Sequence, residues 1–161
     1  MSTLPLASGT LVGLVLLAAA GPAPADDRAP LLVKYAGSYD TDALFKEPAV
    51  RAGLDKVVGR QLGTLMHHLD VRGSVDVVGG ALAVSGNAPR GGGENEAVVC
   101  ILPNPLRVEA AIASKGRITV FAQAEKYEYA TLCVKDWITQ FNSRHRDRFK
   151  PPANVAFQRV R

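Results

Sequence analysis

The sequence predicts an α+β fold in which a five-stranded antiparallel meander sheet is covered by two helices. Apolar residues recur with helical spacing in two stretches, residues 48–58 and 127–142. Between them, β-branched residues alternate with polar ones, and glycine and proline interrupt the pattern at short intervals. Connections this short join antiparallel neighbours, because a parallel crossover needs a dozen or more residues.

The first helix is bounded by a proline and a glycine. Glu47-Pro48 places proline at a first-turn position, and Gly59 follows the last apolar residue. The stripe that faces the core consists of Val50, Leu54, Val57 and Val58. A second periodic piece over residues 62–69 either continues this helix after a kink or forms a separate short helix, and the pattern is compatible with both.

Five strands make up the predicted sheet. They cover residues 74–78, 81–85, 97–102, 107–113 and 117–123. Gly79-Gly80 permits the positive φ angles of a two-residue hairpin between the first two strands. The inward rows that a helix covers are predicted to be Val108, Ala110 and Ile112 on one strand and Ile118, Val120 and Ala122 on the next. Residues 155–160 also alternate, as a short terminal strand does.

The two cysteines, Cys100 and Cys133, are predicted to form a disulfide. An even pair in an oxidising compartment is most simply linked, and the bond would tie the second helix to the middle of the third strand. Closing a loop of about 34 residues contributes roughly 3–4 kcal/mol in the chain-entropy model. The spacing excludes a Cys-x-x-Cys redox pair, and zinc ligands do not cluster near these thiols.

Residues 1–25 are predicted to be a secretory signal peptide. Their apolar core of about ten residues is too short to span a bilayer, and Ala23-Pro24-Ala25 supplies the small-x-small pattern that signal peptidase accepts. We therefore expect a periplasmic or secreted protein without stable membrane insertion, with one α+β domain over residues 26–161. An uncleaved membrane anchor and a misassigned start codon are the alternatives, because no Lys or Arg precedes the apolar core.

Positive charge is concentrated at the carboxy-terminal end. Lys and Arg total 19 while Asp and Glu total 15, which leaves a net charge of +4. Only Asp147 opposes the cations of residues 144–161, which we call the basic C-terminal segment. These cations are Arg144, Arg146, Arg148, Lys150, Arg159 and Arg161. The segment is either a solvated tail or the means by which a structural or accessory envelope protein binds anionic polymer or lipid. Export makes nucleic acid an unexpected partner.

The sequence contains no motif for a catalytic nucleophile, a phosphate loop or a metal site. Glu94 and Glu96 share a face at a strand start, but acids this close in sequence are common at loop exits. The adjacent His67 and His68 would point about 100° apart on a helix, which prevents both from binding one metal ion. We therefore expect no enzymatic activity, no cofactor and no metal site.

The connection between the second and third strands, residues 87–93, is the candidate partner-binding loop. Three successive glycines carry a large ordering cost, which predicts a mobile loop in the free protein. The residues expected to contact a partner are Asn87, Pro89, Arg90, Gly91 and Glu94. Such a loop can enter a cleft of a protein or glycan partner, and a plain hairpin connection is the alternative.

The order of leader, amphipathic helix, antiparallel meander and glycine-bearing loop resembles the Ivy family of periplasmic inhibitors of vertebrate-type lysozyme. Residues 49–59 and 86–113 carry the resemblance, within a region that covers residues 43–123. The resemblance implies an exported, inhibitor-like module that meets a protein partner in the cell envelope through its loop. A homodimer is compatible with it.

The loop departs from the family pattern. In that family it carries a Cys-Lys-Pro-His-Asp-Cys motif whose His enters the lysozyme active site, whereas residues 87–93 keep at best Pro89 and contain neither His nor Cys. We therefore expect lysozyme inhibition to be weak or absent. Lysozymes of the c type are also strongly basic, so binding would need Glu94, Glu96 and Asp76 to dominate the contact face.

Overall fold

The computed structural model describes residues 29–90, 93–145, 151 and 153–159. Its helices are α1 (Ala29–Val33), α2 (Thr41–Lys46), α3 (Pro48–Val58), α4 (Leu62–His67) and α5 (Leu132–Arg144), with 3-10 turns at Gly59–Gln61 and Tyr127–Tyr129. Its strands are β1 (Val71–Arg72), β2 (Asp76–Val78), β3 (Ala81–Asn87), β4 (Asn95–Pro103), β5 (Leu106–Ser114), β6 (Arg117–Ala122) and β7 (Val155–Arg159). The predicted signal peptide lies outside the described residues.

The described strands form one seven-stranded sheet in the order β1-β3-β4-β5-β6-β7, with β2 also paired to β3. The five predicted strands correspond to β2 through β6, which pair antiparallel in succession. The sheet has one strand more at each edge than the predicted meander of five, and the added strand β7 is the short terminal strand predicted over residues 155–160. β1 is only two residues long, and β7 pairs parallel to β6. A parallel pair needs a long crossover, and α5 lies within this one.

Helices cover both faces of the sheet, and each face has its own hydrophobic core. On one face, the buried side chains of α2, α3 and α4 pack against alternate residues of β3, β4 and β5. On the other face, α5 packs against the intervening residues of the same strands and against β6. The prediction of two covering helices is therefore incomplete, because α2 and α4 add to the helical layer beside α3.

The two predicted inward rows lie on opposite faces rather than on one. In the β5–β6 register Ala110 is opposite Phe121, and Ala113 is opposite Ile118. Since paired residues share a face, the Ala110 row belongs to the core beneath α3 and the Ile118 row to the core beneath α5. Sequence alternation gives the period of each strand but not the register that aligns the two strands.

The first predicted helix is confirmed, and the continuation that follows it is a separate element. Val50, Leu54 and Val58 are buried along α3, and Pro48 stands in its first turn. Gly59 ends the helix with a φ of 55°, a conformation that favours glycine. The 3-10 turn then leads into α4, which buries Leu65. The periodic piece over residues 62–69 therefore contains a separate short helix, α4, and does not continue α3.

The Cys100–Cys133 disulfide is confirmed, with Cα atoms 6.1 Å apart, and it joins β4 to α5. The start of α5 has a second attachment to the sheet. Glu109 of β5 is fully buried, and its carboxylate accepts hydrogen bonds from the backbone N–H and the hydroxyl of Thr131, at 3.1 and 2.7 Å. Thr131 is the N-cap of α5 and accepts from the backbone N–H of Val134. α5 therefore begins five residues later than the predicted helix.

Candidate partner-binding site

The candidate loop begins where β3 and β4 stop pairing. Asn87 is opposite Glu96 in the register, and the backbone N–H of Ala88 donates to the carbonyl of Asn95 at 2.9 Å. Ala88 is buried, which fixes the first residue of the connection against the sheet. Residues 88–94 thus connect the two strands, and the structure describes residues 88–90, 93 and 94 of this connection.

The described side chains at the tip of this loop are exposed and of mixed charge. Pro89, Arg90 and Glu94 are all exposed, so the tip presents one cation and one carboxylate to solvent. Arg90 has a φ of 59°, a left-handed backbone that costs an L-residue roughly 1–2 kcal/mol. The mobility expected of the loop rests on Gly91, Gly92 and Gly93, and the first two of these lie outside the described residues. The role of Gly91 as a contact residue therefore stays a prediction.

The exit of the loop contacts the carboxy-terminal end of α5. The Arg144 guanidinium donates to Glu96 Oε2, forming an ion pair. The neighbouring His145 ring donates from Nε2 to the Gly93 carbonyl at 3.1 Å. Two successive residues that follow the loop by about 50 positions in sequence therefore hold both its last glycine and the first buried residue of β4.

Glu96 is an unusual residue for the interior of a strand. Only 9% of it is exposed, and burial raises the pKa of its carboxyl group, while the charge and hydrogen bond of Arg144 act in the opposite direction. His68 of the neighbouring helical segment adds a contact to the Glu96 carbonyl, from Nδ1 at 3.4 Å. The carboxylate of Glu96 thus accepts from Arg144, whereas its backbone carbonyl is contacted by His68.

A polar cleft of about 510 Å³ lies beside the loop stem, between the edge of the sheet and α5. Asn87 and Glu96 form its side nearest the loop, and Trp137, Gln140 and Arg144 line it from α5. The remaining lining residues are Val71, Arg72, Gly73, Ser85 and Gly86. The cleft therefore includes Asn87 and Glu96, the paired residues of β3 and β4 that flank the loop.

The structure brings together only part of what the sequence predicted. Asn87 lies at the end of β3, where its side-chain amide donates to the Ala88 carbonyl. Glu94 is exposed at the tip, whereas Glu96 is buried and paired with Arg144. Asp76 is exposed in β2 opposite Ala83, about 13 Å along β3 from Asn87. The condition that these three acids dominate the contact face is therefore not met.

Sequence reasoning missed the contribution of Arg144 and His145. Arg144 was predicted to belong to the basic C-terminal segment, but it ends α5 in an ion pair. Residues 146–150, 152, 160 and 161 of that segment lie outside the described residues. The available signal was an acidic residue, Glu96, at the start of an otherwise apolar strand, because a buried carboxylate requires a partner.

The described ranges, 29–90, 93–145, 151 and 153–159, contain no group of three or more His, Cys, Asp or Glu side chains placed to hold a metal ion. His67 and His68 have separate partners, Asp70 for the first and the Glu96 carbonyl for the second. The helices within the same ranges are all too short or too polar to cross a bilayer.

The described residues define a mixed α+β protein, with helices on both faces of one sheet and a connecting loop between β3 and β4. Residues 49–144 match the family described as Inhibitor of vertebrate lysozyme (Ivy). The match covers more than half of the 161-residue chain, from the start of α3 to Arg144 at the end of α5, and the chain belongs to this family. It matches no curated protein and no solved structure.

Proposed function

We propose that this protein is an exported, lysozyme-inhibitor-like binding module that presents residues 88–94 to a protein partner in the cell envelope. The observation that carries the proposal is the family match over residues 49–144, because that range contains the loop, both strands of its stem and the helix that contacts it. The leader in residues 1–25 supports export to the periplasm or beyond.

Arg90 is the side chain of the loop best suited to an enzyme partner of the lysozyme class. Glycan-cleaving enzymes generally carry two carboxyl groups at the bond they cleave. A guanidinium pairs with carboxylates through charge-assisted hydrogen bonds, and Arg90 is the one cation that residues 87–94 contain. Its exposed position between Pro89 and the glycines supports a role at the contact.

Inhibition by this loop is expected to be weak. The loop sequence offers neither the His nor the two Cys residues of the family motif, so an arginine must act without a disulfide to shape the tip. The net charge of +4 opposes binding to a basic lysozyme, and Glu94 is the exposed acid that offsets Arg90 at the tip.

Binding of the purified mature protein to a c-type lysozyme, measured by calorimetry, tests the proposal. We expect measurable binding that Arg90→Ala weakens by about tenfold, the equivalent of one charge-assisted hydrogen bond. Arg60→Ala is the matched control, because Arg60 is an exposed arginine of the 3-10 turn between α3 and α4. Equal affinities for the Arg90→Ala variant and the original protein would contradict the assignment of the loop.

A salt series separates this proposal from the alternative, in which the basic C-terminal segment binds anionic polymer or lipid. Exposed charges are screened over about 10 Å at 0.1 M salt, so the affinity of that segment for anionic vesicles should fall steeply as the salt concentration rises. The Arg90→Ala substitution should leave this affinity unchanged. The pairing of Arg144 with Glu96 favours the first proposal, because it removes one cation from the segment. Inhibition of a c-type lysozyme at nanomolar concentration would show that a different surface carries the activity.

A further inference from the structure

The end of α5 and the exit of the candidate loop are joined by two adjacent residues. Arg144 pairs with Glu96 and His145 donates to the Gly93 carbonyl, so one turn of helix holds both ends of the segment that leads from the loop into β4. The other side of the loop is held within the sheet, through the Ala88 N–H and the Asn95 carbonyl.

One disulfide and one ion pair attach α5 to β4. Cys133 near the start of the helix is bonded to Cys100, and Arg144 at its end is paired with Glu96. Cys133 and Arg144 are about 16 Å apart along a helix, and Cys100 and Glu96 are about 13 Å apart along a strand. Because the two spans are similar, helix and strand lie side by side, and the loop exit is located by a helix that is itself anchored.

The Arg144–Glu96 ion pair is better suited to fixing the loop exit than an ion pair between two exposed side chains. Glu96 is nine-tenths buried, so solvent and salt screen its interaction with Arg144 less than that of two exposed groups. The guanidinium of Arg144 carries a planar fork of donors, which constrains the direction of the interaction as well as its distance. About half of the Arg144 side chain remains exposed, which leaves it accessible from the cleft.

We propose that Arg144 and His145 are positioning residues that fix the loop exit, residues 93–96, and thereby the place from which the loop is presented to a partner. The proposal deepens the proposed function and rests on it for the identity of the loop as the binding surface. Neither residue needs to touch the partner, since both act through Gly93 and Glu96.

Hydrogen exchange of the backbone amides of residues 86–95 in the free protein tests this inference. Arg144→Ala should accelerate exchange in that segment by about tenfold, because a charge-assisted hydrogen bond that closes the loop is lost. Arg51→Ala is the matched control, since it breaks the exposed Arg51–Asp55 pair on α3 and should leave the loop unchanged. Arg144→Lys should restore part of the protection, because it keeps the charge.

Core amides of β5 and β6 serve as the internal reference. Acceleration confined to residues 86–95 supports the positioning role, whereas equal acceleration in β5 and β6, or none at the loop, overturns it. Glu96→Gln is the second variant should Arg144→Ala fail to fold, and it should loosen the same segment. The exchange measurement needs no partner, so absent lysozyme binding by the original protein would count against the proposed function alone.

Discussion

At the scale of single residues, the pKa of Glu96 is set by its burial and by its contact with Arg144. Burial raises its pKa and Arg144 opposes the rise without cancelling it. The folded chain therefore binds this proton more tightly than the unfolded chain does. The stability that Glu96 contributes is fully present below its unfolded pKa of 4.5 and is lost as the pH rises through its higher folded pKa.

We predict that Glu96→Gln removes a pH-dependent part of the free energy of unfolding. The glutamine cannot titrate, so the original protein should gain stability relative to the variant as the pH falls from about 7 to about 4. Urea unfolding at several pH values measures this difference. Glu94→Gln is the control, because Glu94 is exposed two residues away. A difference that shrinks or reverses on acidification would contradict the direction of the Glu96 shift.

Residue types near the loop were readable from the sequence, but their pairing was not. The exposed positions of Pro89, Arg90 and Glu94 agree with their polar or turn-forming character. The partner of Glu96 lies 48 residues away in sequence, and no local pattern connects the two. Arg144 resembled a tail charge because its neighbours in sequence are also basic.

At the scale of elements, α3 approaches the sheet so closely that its middle residue is a glycine. A Cβ atom on Gly53 would lie 2.6 Å from Val108 Cγ2 of β5. Gly63 of α4 is also helical, and a Cβ there would meet no atom within 4 Å. Substituting alanine at each glycine therefore allows the effect of helix propensity, common to both sites, to be distinguished from the effect of packing, which arises only at Gly53.

We predict opposite effects for two substitutions that have the same helix propensity. Gly63→Ala should raise the free energy of unfolding by up to about 1 kcal/mol, because alanine favours the helix. Gly53→Ala gains the same propensity, but the overlap with Val108 costs about 1–3 kcal/mol, so stability should fall by about 1 kcal/mol. Urea unfolding of both variants decides the matter, and a gain in both would mean that β5 yields without cost.

The elements themselves were largely predictable, and their arrangement was less so. Gly79-Gly80 has the positive φ angles expected of the hairpin between β2 and β3, and the strands that follow pair as predicted. The parallel pairing of β7 depends on the path of α5, which no short pattern encodes. The disulfide was predictable because the chain has two cysteines and both fall in periodic elements.

At the scale of the whole molecule, the described fold starts after the predicted leader. α1 begins at Ala29, and residues 1–25 lie outside the described residues. The disulfide between β4 and α5 suits an oxidising compartment, which is the compartment that a leader would provide.

We predict that protein recovered from the periplasm lacks residues 1–25 and begins at Asp26. The small residues Ala23 and Ala25 satisfy signal peptidase, and the charge of Asp26 follows directly. Intact-mass measurement of protein expressed from the full coding sequence gives the answer. A mass that includes residues 1–25 would contradict the predicted cleavage and would indicate that the leader is an uncleaved anchor.

The sequence by itself determined the class of fold, the bounds of α3, the succession of antiparallel hairpins and the pairing of two cysteines. Each of these follows from local periodicity, turn residues or a count, which act within a few residues of the chain. The tertiary structure decided which apolar row faces which helix, that β7 joins the sheet in parallel, and that Arg144 and His145 hold the loop exit. These features depend on register and on contacts between residues far apart in sequence, which form only when both faces of the sheet are packed at once.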